Sequence, residues 1–170
     1  MKKLSIVIAC MLFLFSNVLL AQNKYVGAKN CKMCHMSKGK QYPQWAASKH
    51  AKAMETLKTP EALKIAKEKG IADPSTDAKC TKCHSTASAI DAKLNGGITK
   101  EEGVSCESCH GPGSAYKAPA IMRNHEACVT NGLITPDEKL CLKCHNSESP
   151  TFKGFDFAKY MAKISHKNPK

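Results

Sequence analysis

The apolar and polar positions of this chain recur with the spacing of short helices rather than with the alternation of strands. Between residues 41 and 57 one helix face can gather several apolar side chains, namely Trp45, Ala46, Ala53, Met54 and Leu57. A second helix is predicted from Pro60 to about Lys69, because proline suits a first helical turn and Gly70 follows the last one. The pattern therefore predicts a mainly α fold with extensive loops.

Two more helices are predicted nearer the C-terminus. The run from Thr135 to Glu138 is typical of a helix start, with Thr135 as the N-cap and Pro136 at the first position. From Asp156 to His166 the spacing is that of an amphipathic helix. Its apolar face comprises Phe157, Tyr160, Met161 and Ile164. We expect that face to point to the interior, and at most a very short hairpin elsewhere in the chain.

The first 21 residues have the pattern of an export signal. Met1-Lys2-Lys3 is a short positive region, residues 4–20 are mostly apolar, and Ala21 precedes a polar stretch. We therefore predict a signal peptide at residues 1–21, export to the periplasm, and a single domain at residues 22–170. Two alternatives stay open, a lipoprotein cut before Cys10 and an uncleaved anchor that faces the periplasm.

Four cysteine pairs mark the rest of the chain, and a histidine directly follows each pair. The cysteines are Cys31, Cys34, Cys80, Cys83, Cys106, Cys109, Cys141 and Cys144, and the histidines are His35, His84, His110 and His145. Cys-x-x-Cys-His is the signature of covalent c-type haem attachment. The two thiols, about one helical turn apart, add to the haem vinyl groups, and the adjacent imidazole becomes an axial ligand of the iron. The sequence predicts four covalent haems c.

Zinc and disulfides account for these cysteines less well than haem does. Zinc uses Cys-x-x-Cys pairs as half of a tetrahedral site, but it gives no reason for a histidine after every second cysteine. A disulfide framework makes no demand on histidine either. One thiol of the mature chain, Cys128, lies outside the motifs. It is expected to be a buried packing residue, with an intermolecular disulfide as the alternative.

Haem also changes the interpretation of composition and charge. Aromatic residues make up 6% of the chain, so four porphyrins would supply much of the apolar surface that the fold covers. The formal charge is +12, or +10 without Lys2 and Lys3. Eight propionates and four irons then bring the holoprotein to about +2 when reduced and about +6 when oxidised. The basic balance therefore gives no argument for nucleic acid, while a residual positive face could dock an acidic redox partner.

Each haem iron has a second axial position to fill. Three histidines lie outside the motifs, and each is a candidate distal ligand: His50, His125 and His166. Because three histidines cannot serve four irons, one iron takes methionine, lysine or water, or stays five-coordinate. The methionine candidates are Met54, Met122 and Met161. Each of these methionines also suits ordinary core packing.

The motif order resembles that of the tetrahaem cytochrome c-554 family of nitrifying bacteria. The resemblance rests on the four motifs, on the stretch Trp45-x-x-Ser48-x-His50, and on histidines beyond the third and fourth motifs. It implies a compact multihaem fold organised around four covalently attached haems, with distal ligands exchanged between motifs. The implied pairs are His125 with His35, His50 with His110, and His166 with His145. The haem of His84 would then be five-coordinate.

These features predict a periplasmic protein that carries electrons through four haems between a redox enzyme and a respiratory-chain carrier. The resemblance implies a hydroxylamine-oxidising enzyme as donor and a membrane quinone or cytochrome carrier as acceptor. One alternative is reduction of a small molecule such as nitric oxide at a five-coordinate haem held by His84, where no catalytic residue can be assigned. Another is a structural link in a larger respiratory complex. Membrane contact is expected only through partners.

Overall fold

A computed structural model describes residues 22–166, which form short α-helices and two 3₁₀ turns joined by loops. The α-helices are α1 Ala28–His35, α2 Gln41–Ala46, α3 Ala53–Thr56, α4 Pro60–Glu68, α5 Ala78–His84, α6 Thr86–Ala89, α7 Cys106–His110, α8 Pro119–Met122, α9 His125–Thr130, α10 Glu138–Leu142 and α11 Phe157–Ile164. The 3₁₀ turns are Ala92–Leu94 and Lys100–Glu102. Within residues 22–166 no strand forms, and an isolated parallel bridge joins Tyr25 to Asn95. The mainly α prediction is confirmed, while the predicted signal peptide lies outside the described residues.

The best-predicted helix start is that of α4. The Thr59 hydroxyl accepts a hydrogen bond from the Ala62 amide at 3.3 Å, and Pro60 occupies the first helical position. Gly70 follows the helix with a φ of +67°, a conformation that glycine adopts without strain. Capping residue, proline and glycine thus act at the positions that the sequence indicated.

Two predicted helices have other bounds in the structure. The helix expected over residues 41–57 is interrupted between α2 and α3, where the Ser48 hydroxyl accepts from the Ala51 amide at 3.3 Å and supports a turn. The prediction of Thr135 as the N-cap of the later helix is wrong. Asp137 caps α10 instead, because its carboxylate accepts from the Leu140 amide at 2.8 Å.

Helix α11 begins where the sequence predicted, but its apolar face is only partly covered. Asp156 caps it by accepting from the Lys159 amide at 3.0 Å. The expected interior placement is wrong for Tyr160, which is 42% exposed. Its ring stacks on Phe155 with the centroids 5.3 Å apart, so this aromatic pair lies at the surface.

Small side chains dominate the buried positions of the described residues. The buried apolar residues are Val26, Ala28, Ala53, Leu57, Ala66, Ile71, Ile98, Tyr116 and Cys128. Buried polar groups, including Thr86, Ser105 and Glu107, stand between the motif helices. Across residues 22–166 no helix is long and apolar enough to cross a membrane.

Candidate haem-binding sites

Each cysteine pair lies on a single helical turn. The first three motifs form the ends of α1, α5 and α7, so that His35, His84 and His110 are the last residues of these helices. The fourth motif begins in α10 and continues as a turn, in which the His145 amide donates to the Cys141 carbonyl at 3.0 Å. The helical spacing on which the haem prediction depends is therefore present in all four motifs.

Backbone carbonyls hold two of the motif histidines by the ring nitrogen Nδ1. Nδ1 of His84 lies 2.8 Å from the Ala53 carbonyl oxygen, and Nδ1 of His110 lies 3.3 Å from that of Ile134. A carbonyl can only accept, so Nδ1 carries the proton in each neutral ring and Nε2 keeps its lone pair free. This is the arrangement that orients a metal-bound histidine, and it fits iron ligation by Nε2.

Two distal candidates lie beside motif histidines. The ring centroids of His50 and His145 are 6.0 Å apart, and those of His110 and His166 are 5.6 Å apart. Two metal–nitrogen bonds of about 2 Å each, added to the depth of the two rings, put the centroids of a bis-histidine pair about 6 Å apart. Both pairs therefore fit two axial imidazoles on one iron.

These proximities differ from the pairing that the resemblance implied for two histidines, and the axial pairing itself stays a prediction. His50 was expected beside His110 and His166 beside His145, whereas the structure places them the other way round. The reason lies in the last segment of the chain. Phe155 stacks on His145 at 4.9 Å, and the eight residues of α11 then carry the chain about 12 Å onward to His166.

The remaining distal candidates are less constrained. His125 is the first residue of α9 and its side chain is exposed, so its implied role on the haem of His35 stays a prediction. The three methionine candidates, Met54, Met122 and Met161, are half-buried, as packing residues often are. Among residues 22–166 no group of three or more His, Cys, Asp or Glu could hold a bare metal ion.

Burial and the neighbouring imidazole both lower the pKa of His50 and of His110. Desolvation lowers the pKa of His50 below its ordinary value, and the nearby His145 lowers it further. Desolvation also lowers the pKa of His110, although the hydrogen bond to Ile134 opposes that change. Both rings are therefore neutral at pH 7 and can donate a lone pair to a metal.

The motif thiols reveal which motifs are neighbours. Cys31 of the first motif lies close enough to Cys106 of the third for each thiol to shift the pKa of the other. Cys83 of the second motif and Cys109 of the third both lie near Cys144 of the fourth and help to raise the pKa of its thiol. In space the third motif therefore lies next to the first and near the fourth, and the fourth lies next to the second, an arrangement that differs from the order in the sequence.

Side chains outside the cysteines reinforce these contacts. The second and fourth motifs are joined by an ion pair of 2.5 Å between Lys82 and Glu148. The Thr86 hydroxyl, just beyond the second motif, is hydrogen-bonded to that of Ser108 in the third. Thr86 also accepts from the Ser105 amide at 2.8 Å. The motif helices are thus held against each other by the residues between and beside the cysteines.

Glu107, inside the third motif, is a structural residue that the sequence reasoning did not identify. Its side chain is 2% exposed, and its carboxylate accepts from the amides of Val26, Gly27 and Gly113 at 2.9, 2.8 and 2.6 Å. Glu102 accepts from the Ala28 amide at 2.8 Å. Two glutamates thus satisfy the free amides at the N-terminal end of the first motif helix.

Cys128 has the packing role that was expected of it. Its side chain is 2% exposed, and its thiol donates to the Ile121 carbonyl at 3.4 Å. Burial raises the pKa of this thiol, which disfavours the reactive thiolate. The alternative of an intermolecular disulfide does not fit a thiol that a second chain cannot reach.

Four Cys-x-x-Cys-His turns and two imidazole pairs at the spacing of axial ligands define a multihaem cytochrome c. The comparisons with known proteins specify the type. Residues 30–111, which include the first three motifs, match the family model described as cytochrome c554 and c-prime. The chain is 34% identical to cytochrome c-554 of Nitrosomonas europaea over 160 residues, covering 80% of this chain and 64% of that protein. The chain is therefore similar to cytochrome c-554 along most of its own length, in the part of that protein that it covers.

The two matches cover only part of the relative and only part of this chain. The chain spans 64% of the length of the relative, and the fourth motif lies beyond the region that the family model matches. No solved structure matches the chain. The fold class and the haem c chemistry follow from the match, whereas the number of haems and the partners are matters for proposal.

Proposed function

We propose that this protein carries electrons through four covalent haems c between a redox enzyme and a respiratory-chain carrier in the periplasm. The observation that supports the proposal most directly is the close approach of successive motifs. Thiols of the first and third motifs, and of the fourth and second, lie near each other, and the ion pair between Lys82 and Glu148 also joins the second motif to the fourth. Haems attached there would be close neighbours, and a bound haem supplies the reversible one-electron couple.

The chain would hold each haem by two thiols and a motif histidine. We assign His50 as the second axial ligand opposite His145, and His166 opposite His110, from the ring spacings. His125 is left for the haem of His35, as the resemblance implied. The haem of His84 then has no histidine partner. Nothing among residues 22–166 favours small-molecule reduction at that haem, so electron transfer is the single function proposed.

The polypeptide would also set how easily each haem is reduced. Carbonyls that accept from Nδ1 of a motif histidine raise the electron density on the ligand, and this favours the oxidised iron. Such bonds are recorded for His84 and His110. Neighbouring haems can therefore differ in potential although they share one attachment motif.

Mass spectrometry of the native mature protein tests the haem count and the export signal together. We expect a mass that corresponds to residues 22–170 with four haems. A mass with fewer haems would contradict the count, and retention of residues 1–21 would contradict the cleaved signal.

Single substitutions test the axial assignments. His50→Ala and His166→Ala should each convert one haem from low spin to high spin, measured by electron paramagnetic resonance, because one iron loses a strong-field ligand. Lys49→Ala is the matched control, since its side chain is exposed next to His50. An unchanged spectrum in His50→Ala or His166→Ala would refute that assignment.

Potentiometric titration of the holoprotein tests the function itself. We expect every haem to be reduced and reoxidised without loss of the protein. If one haem stays oxidised when a small soluble reductant has reduced the others, electron transfer through all four haems is contradicted.

A further inference from the structure

The N-terminal part of the described chain is strongly and uniformly positive. Residues 22–54 contain seven lysines and no aspartate or glutamate. All seven lysines are exposed: Lys24, Lys29, Lys32, Lys38, Lys40, Lys49 and Lys52. Two propionates of a haem on the first motif would leave this segment with a clear positive excess.

Helix α1 carries both lysines and exposed apolar side chains on its outer face. Lys32, Met33 and Met36 come three, four and seven residues after Lys29, which places the four side chains on one side of the helix. Met33 is 76% exposed and Met36 is 47% exposed. The helix thus presents an apolar centre with lysines beside it, and Lys38 and Lys40 continue this surface beyond its end.

The same surface borders the first attachment site. Met33 lies between the two cysteines of the motif, and Met36 directly follows His35. A partner on this surface would therefore lie against the attachment side of the first haem.

Acidic groups near α1 do not neutralise this surface. Glu107 is buried, and Glu102 is bound to the Ala28 amide at the opposite, N-terminal end of the helix. The other motifs differ from the first in this respect. Lys82 in the second motif is paired with Glu148, and Asp137 and Glu138 stand at the start of α10 before the fourth.

We propose that the surface formed by Lys29, Lys32, Met33, Met36, Lys38 and Lys40, here called the first-motif face, docks an acidic one-electron redox protein. This inference rests on the proposed electron-transfer function and locates one partner. Complementary charge steers the encounter, while the methionines adapt to the apolar centre of the partner surface. One electron leaves the partner as one ferric iron becomes ferrous, and no atom or proton is transferred.

Stopped-flow reduction of the holoprotein by reduced flavodoxin, used as an acidic one-electron protein, tests the inference. The test variant is the triple charge reversal K29E/K32E/K38E. The matched control is K64E/K67E/K69E in and just beyond α4, where three exposed lysines undergo the same change in net charge. At low ionic strength we expect the first triple to slow the second-order rate at least tenfold and to flatten its salt dependence. The control triple should stay within about threefold of the wild type.

A neutral free-flavin reductant separates the two proposals. It should reduce the wild type and both triples at similar rates, because it needs no charged docking surface. Failure of free flavin to reduce the wild type would count against electron transfer itself. If flavodoxin reduces both triple variants equally slowly, or reduces K29E/K32E/K38E as fast as the wild type, the docking surface is refuted and electron transfer is not. M33A/M36A should weaken the flavodoxin reaction without changing its salt dependence.

Discussion

Replacement of Glu107 by alanine should destabilise the protein more than the loss of any other single carboxylate among residues 22–166. Its carboxylate accepts three backbone hydrogen bonds in a site that water does not reach, two at Oε1 and one at Oε2. Hydrogen bonds to charged groups contribute roughly 1.5–3 kcal/mol each. Because such contributions are not additive and the chain can relax, we expect a loss of about 4 kcal/mol for Glu107→Ala.

The conservative variant has a smaller predicted effect. In Glu107→Gln the amide oxygen can still accept two bonds, but the amide nitrogen must face the amide of Gly27 or those of Val26 and Gly113. At least one backbone donor, together with the amide N–H groups of glutamine that face it, is then left without an acceptor, at a cost of about 2 kcal/mol. Alanine should therefore cost more than glutamine. A measurable loss in the glutamine variant, which keeps the shape of the side chain, is the result that a purely steric role would not produce.

Thermal unfolding of the holoprotein, followed by circular dichroism and haem absorption, measures the loss. For a chain of this length 4 kcal/mol corresponds to a decrease in Tm of about 10 °C. Glu101→Ala is the control, because Glu101 is exposed and close in sequence, and it should change stability by less than about 0.5 kcal/mol. Hydrogen exchange should also accelerate at the Val26, Gly27 and Gly113 amides. A wild-type Tm for Glu107→Ala would refute the reasoning.

Two further substitutions test the surroundings of the histidines. Gly103→Ala should cost more than about 2 kcal/mol in chemical denaturation, because Gly103 has a φ of +64° and a Cβ there would lie 2.6 Å from the His50 carbonyl oxygen. Gly70→Ala, at a φ of +67° but with nothing within 4 Å, should cost only about 1 kcal/mol, and equal losses would contradict the clash. Tyr116→Phe should cost about 1 kcal/mol by the same assay, since its hydroxyl donates to the His110 and Gly111 carbonyls at 3.1 and 2.9 Å. No change would show that these bonds contribute nothing.

What the sequence predicted well was local. The helical turn of each motif depends on residues that adjoin in the chain, and so do the start of α4 at Thr59-Pro60 and its end before Gly70. The helix over residues 41–57 failed for a local reason as well. Apolar periodicity continues through Ser48, but the hydroxyl of that residue supports a turn that periodicity does not reveal.

What the sequence could not predict was the contact between distant segments. The partner of His166 depends on where α11 turns back, and this is decided by the stacking of Phe155 on His145 and of Tyr160 on Phe155. Glu107 carried no signal either, because any residue is allowed between the two cysteines of a motif. Its role appears only when the amides of residues 26, 27 and 113 converge on one carboxylate.

The spatial order of the motifs gives the proposed electron path two ends. Cys31 is next to Cys106, Cys109 is near Cys144, and Cys144 is next to Cys83, while Thr86 beyond the second motif is bonded to Ser108 of the third. In these contacts the third motif joins the first motif to the second and the fourth. The first-motif face would serve one end. A second partner, acting at the haem of His84, would then meet a surface where Lys82 is already paired with Glu148. Its rate should therefore depend little on salt and should be unaffected by K29E/K32E/K38E, so that loss of both reactions in this variant would refute two separate ends.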